Sequence, residues 1–237
     1  MNYQNEKIFL DSFYFTHPAT ILLCGPTKSG KTTLLSKILL NSDRGLVRPP
    51  PHRIVYCYSA WQDAFEEIQM SRASPTNLNF SSNAATLEFR QGLPDLTDFD
   101  SKKNNILILD DLMTEAGKDA NVLKIFTVDS HHNNITVFFL TQNIFPQEKY
   151  SRTISLNCQY MLLTNNPRDR NQLVQLAKQI FPGQTKFFAE AYNDAVTLKR
   201  YGYLLLALDQ NTEEENRVQT GILPNETRII YRKKNLK

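Results

Sequence analysis

Short apolar runs alternate along this chain with longer stretches whose apolar residues recur every three or four positions. That alternation predicts a parallel β-sheet joined by crossover helices. The runs Ala19–Cys24, Arg53–Tyr58, Ile106–Leu109, Ile135–Leu140 and 159–163 read as buried strands, with a short strand at Leu87–Arg90 and a last one at Tyr203–Leu208. Leu34, Leu35, Ile38 and Leu39 share one face of a helix over Lys31–Leu40. Further helices are expected over 62–70, over Ala120–Ser130, and over Thr185–Val196. Another runs from a cap at Asn166-Pro167-Arg168-Asp169 to Phe181, where Pro182-Gly183 stops it. Residues 71–104 are otherwise polar and irregular, and there is no internal repeat.

Composition narrows the class. With 237 residues, 41% hydrophobic and 22% charged, the chain fits one α/β domain and not a disordered segment. We read residues 1–225 as that domain and 226–237 as a basic tail, since Tyr231-Arg232-Lys233-Lys234-Asn235-Leu236-Lys237 gathers four positive charges. The net charge of +3 suits a nucleic-acid partner and a metabolic enzyme equally. Cys24, Cys57 and Cys158 lie in apolar runs without metal-ligand spacing, which points to buried thiols in a reducing compartment. No signal-peptide shape opens the chain, and no apolar run approaches the ~20 residues that span a bilayer, so an intracellular protein with no membrane segment is expected. His131-His132 has no Cys or carboxylate at ligand spacing and reads as structural; Trp61, Tyr56 and Tyr58 read as packing residues more than as stacking platforms for bases.

The densest chemistry is Gly25-Pro26-Thr27-Lys28-Ser29-Gly30-Lys31-Thr32, followed by Thr33. It matches the P-loop pattern, with an apolar strand before it and an amphipathic helix after it. Gly25 and Gly30 permit backbone angles that aim successive N–H groups into one concavity, and the helix that follows adds its N-terminal dipole. Lys31 is expected to reach the β- and γ-phosphates of ATP, and the Thr32 hydroxyl to ligate Mg²⁺.

Two further groups belong at the carboxyl ends of the strands, where ligands of open α/β sheets collect. Asp110 and Asp111 end a wholly apolar strand, and burying two unpaired carboxylates there is costly unless a metal ion is present. Asp110 is the expected Mg²⁺-side ligand and Asp111 the general base or orienter of the attacking water. Thr141-Gln142-Asn143 ends the next strand, and the Gln142 amide is suited to the γ-phosphate or the water.

Together with Phe138-Phe139-Leu140-Thr141-Gln142-Asn143, these motifs resemble the FtsK–HerA superfamily of DNA-pumping ATPases. The likeness is greatest to the genome-packaging ATPases of double-stranded DNA viruses and of Polinton/Maverick (adintovirus-like) elements. Phe15-x-His17-Pro18, Ser155-Leu156-Asn157, Asn166-Pro167-Arg168-Asp169, Ile180-Phe181-Pro182-Gly183 and Ala191-Tyr192-x-Asp194-Ala195 with Tyr201-Gly202-Tyr203 extend it over most of 12–225. The resemblance implies a P-loop NTPase fold in which the strand ending at Gln142 lies between the P-loop strand and the Asp110 strand. It implies a homo-oligomeric ring, pentamer or hexamer, on non-specifically bound double-stranded DNA. It also implies a capsid or portal partner, and a host-cell location in cytoplasm or nucleus or with the virion. An arginine from one subunit completes its neighbour's site in such rings; Arg152, Arg168 and Arg170 are the candidates, Arg152 foremost. Lys28 and Asp111 depart from the pattern, which more often has a small residue and Glu. A nucleotide or nucleoside kinase, and an ATP-dependent switch without translocation, are the rival readings.

Overall fold

The computed structural model describes residues 13–73, 84–112, 118–124, 126, 133–145 and 149–233. Its strands are β1 (Phe15–Thr16), β2 (Thr20–Cys24), β3 (Val47–Arg48), β4 (Arg53–Tyr58), β5 (Thr86–Gln91), β6 (Asn105–Asp110), β7 (Ile135–Thr141), β8 (Tyr160–Thr164), β9 (Tyr203–Ala207), β10 (Val218–Thr220) and β11 (Ile229–Ile230). Its α-helices are α1 (Lys31–Asn41), α2 (Asp63–Ala73), α3 (Ala120–Lys124), α4 (Ser151–Leu156), α5 (Arg170–Ile180) and α6 (Thr185–Thr197). The helix expected over Ala120–Ser130 is described only as α3 and Phe126; His131-His132 lies outside the described residues.

Nine strands form one sheet in the order β11-β10-β9-β8-β2-β7-β6-β4-β5, and β1 pairs with β3 beside it. β2, β6, β7 and β8 are buried at every position, which is why they read as unbroken apolar runs rather than as alternating ones. Alternation survives in which face each residue serves. Leu22, Val55, Leu107, Val137 and Met161 pack beneath α5 and α6, whereas Ile21, Ile54, Ile106 and Phe138 pack beneath α1 and α2. Both faces are therefore covered by helices. Among the described residues no helix is long and apolar enough to cross a membrane.

The sheet departs from the expectation in two ways. It is parallel from β5 through β8, but β9, β10 and β11 run antiparallel. A single crossover helix carries the chain back to the start of the next strand; the two successive helices α5 and α6 instead return it to the end where β8 stopped. Thr164 accordingly pairs with Tyr203. The second departure lies in the stretch read as a tail. Ile229–Ile230 pairs with β10, and the Tyr231 hydroxyl is 2.7 Å from Asp194 Oδ2, so the sheet continues past residue 225.

Candidate functional site: a phosphate loop facing two carboxylates

β2 delivers the chain into the loop and α1 carries it away. Gly25 N–H donates to the Thr141 carbonyl at 3.1 Å, fastening the loop to β7. A Cβ at Gly25 would stand 1.8 Å from Thr164 Oγ1, so no larger side chain fits. Thr164 Oγ1 itself lies 2.7 Å from Ser29 Oγ and 3.2 Å from the Cys24 carbonyl, bracing the loop from β8. Lys28 at φ +65° and Gly30 at φ +94° bend the loop through the left-handed region. Gly30 is the N-cap of α1. Lys31 Nζ donates to the Gly25 and Pro26 carbonyls at 2.6 and 3.0 Å, and burial lowers its pKa. Thr32 is partly buried beside it, and Thr33 is exposed.

The opposite wall is built by β6 and β7. Asp110 continues the face of Ile106 and Ile108, which α1 covers, and this alternation aims its carboxylate toward Lys31 and Thr32. Asp110 is 5% exposed, and its Oδ2 accepts from the Tyr56 hydroxyl at 2.6 Å. Burial raises its pKa, the charge of Asp111 adds to that, and Tyr56 and Lys31 oppose it. A buried carboxylate next to a threonine hydroxyl is a hard-oxygen donor set that fits Mg²⁺, which takes one or two protein carboxylates and fills its shell with phosphate and water oxygens. Asp111 turns sharply out of the strand at φ +55° and is exposed, with Oδ1 3.5 Å from Gln142 Nε2.

The segment bearing Gln142 is held from behind. Gln172 of α5 accepts from the Ile144 and Phe145 N–H groups at 2.7 and 3.3 Å, while its own amide donates to Asp169 Oδ2 at 2.6 Å. Lys31, Thr32, Asp110, Asp111 and Gln142 thus line one cleft of about 130 Å³, with Thr27 and Lys28 of the loop on its rim. Thr27, Lys28 and Gln142 also line a second, adjoining cavity of about 630 Å³ that runs toward Arg168 and Tyr201. Arg152 stands exposed on α4 and lines neither; Arg170 flanks the apolar groove between α5 and α6.

Tyr56, Thr164 and Tyr201 are among the residues at the site that the sequence does not mark as site residues. Tyr56 was read with Tyr58 and Trp61 as packing, and its ring does pack against Phe65 and Phe89 at 4.8 and 5.1 Å, yet its hydroxyl reaches Asp110. The signal was a polar tip on a strand that is otherwise apolar. Thr164 ends β8 as Thr141 ends β7, a threonine at the loop end of each strand that flanks β2. Tyr201 carried no local signal beyond the Tyr-Gly-Tyr stretch. The rings of Tyr58 and Trp61 join those of Phe65 and Phe89 in one cluster, and all three cysteines are buried free thiols with raised pKa values, Cys24 and Cys57 to about 12.

No protein-family model matches this chain, and no curated protein sequence does. Among solved structures it is similar to the genome packaging NTPase B204 from Sulfolobus turreted icosahedral virus 2, in complex with ATP-gammaS. That match has a TM-score of 0.50 at 16% sequence identity and covers 86% of this chain and 96% of the other. The chain thus has the P-loop NTPase fold, with β7 as the additional strand between the loop strand β2 and the Asp110 strand β6.

Proposed function

We propose that this chain is an ATP-hydrolysing motor that moves double-stranded DNA into a viral capsid as a homo-oligomeric ring. The observation that carries the ATPase half is the single cleft shared by Lys31, Thr32, Asp110, Asp111 and Gln142. A phosphate chain entering it meets the loop amides and the Lys31 ammonium, which exchanges the Gly25 and Pro26 carbonyls for stronger, charged acceptors. Mg²⁺ held by Thr32 and Asp110 would supply neutralisation of the β- and γ-phosphate charge. Asp111 orients the attacking water and takes its proton, and Gln142, beside it, bonds the γ-phosphate or that water. The similar solved structure, a genome packaging NTPase bound to ATP-gammaS, supports the packaging half. Arg152, exposed on α4, serves the neighbouring subunit's site as a trans finger, a role that contributes about 10³–10⁵ in rate.

The test is ATP hydrolysis measured with and without duplex DNA over a range of salt. A motor is stimulated by DNA of any sequence, and the stimulation fades as salt displaces phosphate contacts. Stimulation by a small acceptor alone would indicate a kinase, and slow turnover indifferent to DNA a switch. Lys31→Ala is expected to lose binding or turnover, and Asp111→Asn to keep ATP while losing hydrolysis. Undiminished hydrolysis in Lys31→Ala ends the proposal.

A further inference from the structure

Tyr201 has a backbone conformation that bulky residues seldom adopt. Its φ is +62°, where glycine or asparagine is normal, so its presence costs energy that something else offsets. The antiparallel entry of β9 explains its position: because the chain comes back to the end of β8, the turn between α6 and β9 lies against the phosphate loop. Gly202 lets that turn press on α6, where a Cβ would meet the Ala195 carbonyl at 2.6 Å. The Tyr201 ring in turn presses on Gly30, where a Cβ would lie 2.6 Å from ring carbons. The residue is nevertheless 41% exposed and lines the 630 Å³ cavity.

Resting on the nucleotide reading above, we infer that this cavity is the nucleoside subsite and that Tyr201 is the platform on which the base stacks. Three observations carry it. The cavity shares Thr27, Lys28 and Gln142 with the phosphate cleft, so one ligand can occupy both, triphosphate in the smaller and nucleoside in the larger. Its size falls within the usual range for small-molecule sites, roughly 300–1,000 Å³. Its lining is suited to a flat, electron-rich heterocycle carrying phosphate: Pro26, Pro167 and Val196 give apolar walls, the cations are Lys28, Arg168, Lys199 and Arg200, and among the described residues no carboxylate lines it. Arg200 lies with its guanidinium carbon 5.0 Å from the Tyr201 ring centre and its Nη2 3.2 Å from the phenol oxygen, a cation–π contact at the same wall of the cavity. The amide of Asn165, also in the lining, is a neutral polar group available to a base edge. Stacking of this kind tolerates any purine, so discrimination between ATP and GTP is expected to be weak.

Binding of Mg-ATP, Mg-GTP and Mg-tripolyphosphate to the 237-residue chain tests this, because tripolyphosphate has no base. Tyr201→Gly removes the ring at a φ that glycine favours, so the fold is retained and the melting temperature holds. It is expected to weaken ATP and GTP by about tenfold while leaving tripolyphosphate unchanged. Tyr201→Phe is expected to bind all three as the parent does. Equal weakening of ATP and tripolyphosphate would mean that the ring only shapes the loop, and unchanged ATP affinity would mean that the base sits elsewhere; either overturns the assignment. A parent chain that binds none of the three overturns the nucleotide reading itself, together with this one.

Discussion

Tyr56 joins two functions in one side chain. Its ring is fully buried against Phe65 and Phe89, and its hydroxyl spends its proton on Asp110. Burial and the neighbouring carboxylate both push the phenol pKa far up, so the group remains a neutral donor at every working pH. On the function proposed above Asp110 holds Mg²⁺; a carboxylate in that role gains orientation from such a donor, and loss of an outer partner of this kind typically costs 10–100-fold in metal affinity or activity. Tyr56→Phe keeps the ring and removes only the oxygen. We expect the Mg²⁺ concentration for half-maximal ATP hydrolysis to rise by about tenfold, with only a small change in melting temperature. A variant that melts early yet shows the parent's Mg²⁺ dependence would reduce Tyr56 to a packing residue. The sequence named Asp110 because acidic residues ending an apolar strand are conspicuous. It could not name Tyr56, because the partner lies 54 positions away and only the parallel register of β4 on β6 brings the two together.

Helices and strands were legible to the extent that their patterns were local. β2, β4, β6, β7, α1, α5 and α6 follow from apolar runs and helical spacing, and the Asp169 cap from its own chemistry, its carboxylate accepting from Gln172 N–H at 3.2 Å. The two-residue strands β1, β3 and β11 carry no period to detect. Also hidden was the tie between α1, α2 and β5. Arg72 near the end of α2 pairs with Asp43 at 2.7 Å and donates to the Leu39 and Ala85 carbonyls, with the arginine and aspartate side chains only 6% and 9% exposed. Among the described residues Asp43 Oδ1 is buried without a partner, so this pair already carries an unrecovered desolvation cost. Removing one member makes that worse by stranding the other charge. Asp43→Ala should cost about 3 kcal/mol in urea unfolding, and adding Arg72→Met should recover most of it, since an apolar pair of similar volume carries no desolvation cost. A double variant less stable than Asp43→Ala would mean that the arginine's carbonyl contacts, not the ion pair, hold these elements.

Topology was legible where a motif implied it and not where it depended on counting helices. β7 between β2 and β6 followed from the family likeness, whereas the reversal at β9 arises because two helices, not one, separate it from β8. One buried group spans the parallel centre and makes global stability depend on pH. His17, at the approach to β2, has Nδ1 2.7 Å from Thr136 Oγ1 of β7 and Nε2 3.1 Å from Asn134 Oδ1. Asn134 Nδ2 donates onward to Asn104, and Thr136 Oγ1 accepts from Ala19 N–H, so the neutral imidazole that donates from Nε2 satisfies every partner. Burial depresses its pKa to about 4, the Asn134 bonds opposing, against about 6.5 in the unfolded chain. The unfolded state therefore takes up a proton before the folded state does. The contribution of His17 is complete above pH 6.5 and is lost as pH falls from there toward 4, by up to about 3 kcal/mol. Unfolding free energies of the parent and of His17→Gln, followed from pH 8 to pH 5, isolate this share because carboxylate titrations are common to both and cancel in the difference. The parent's advantage should be largest near pH 8 and shrink steadily below 6.5. A difference that stays constant across that range would mean that His17 takes up its proton equally in both states, and that the acid sensitivity of the fold originates elsewhere.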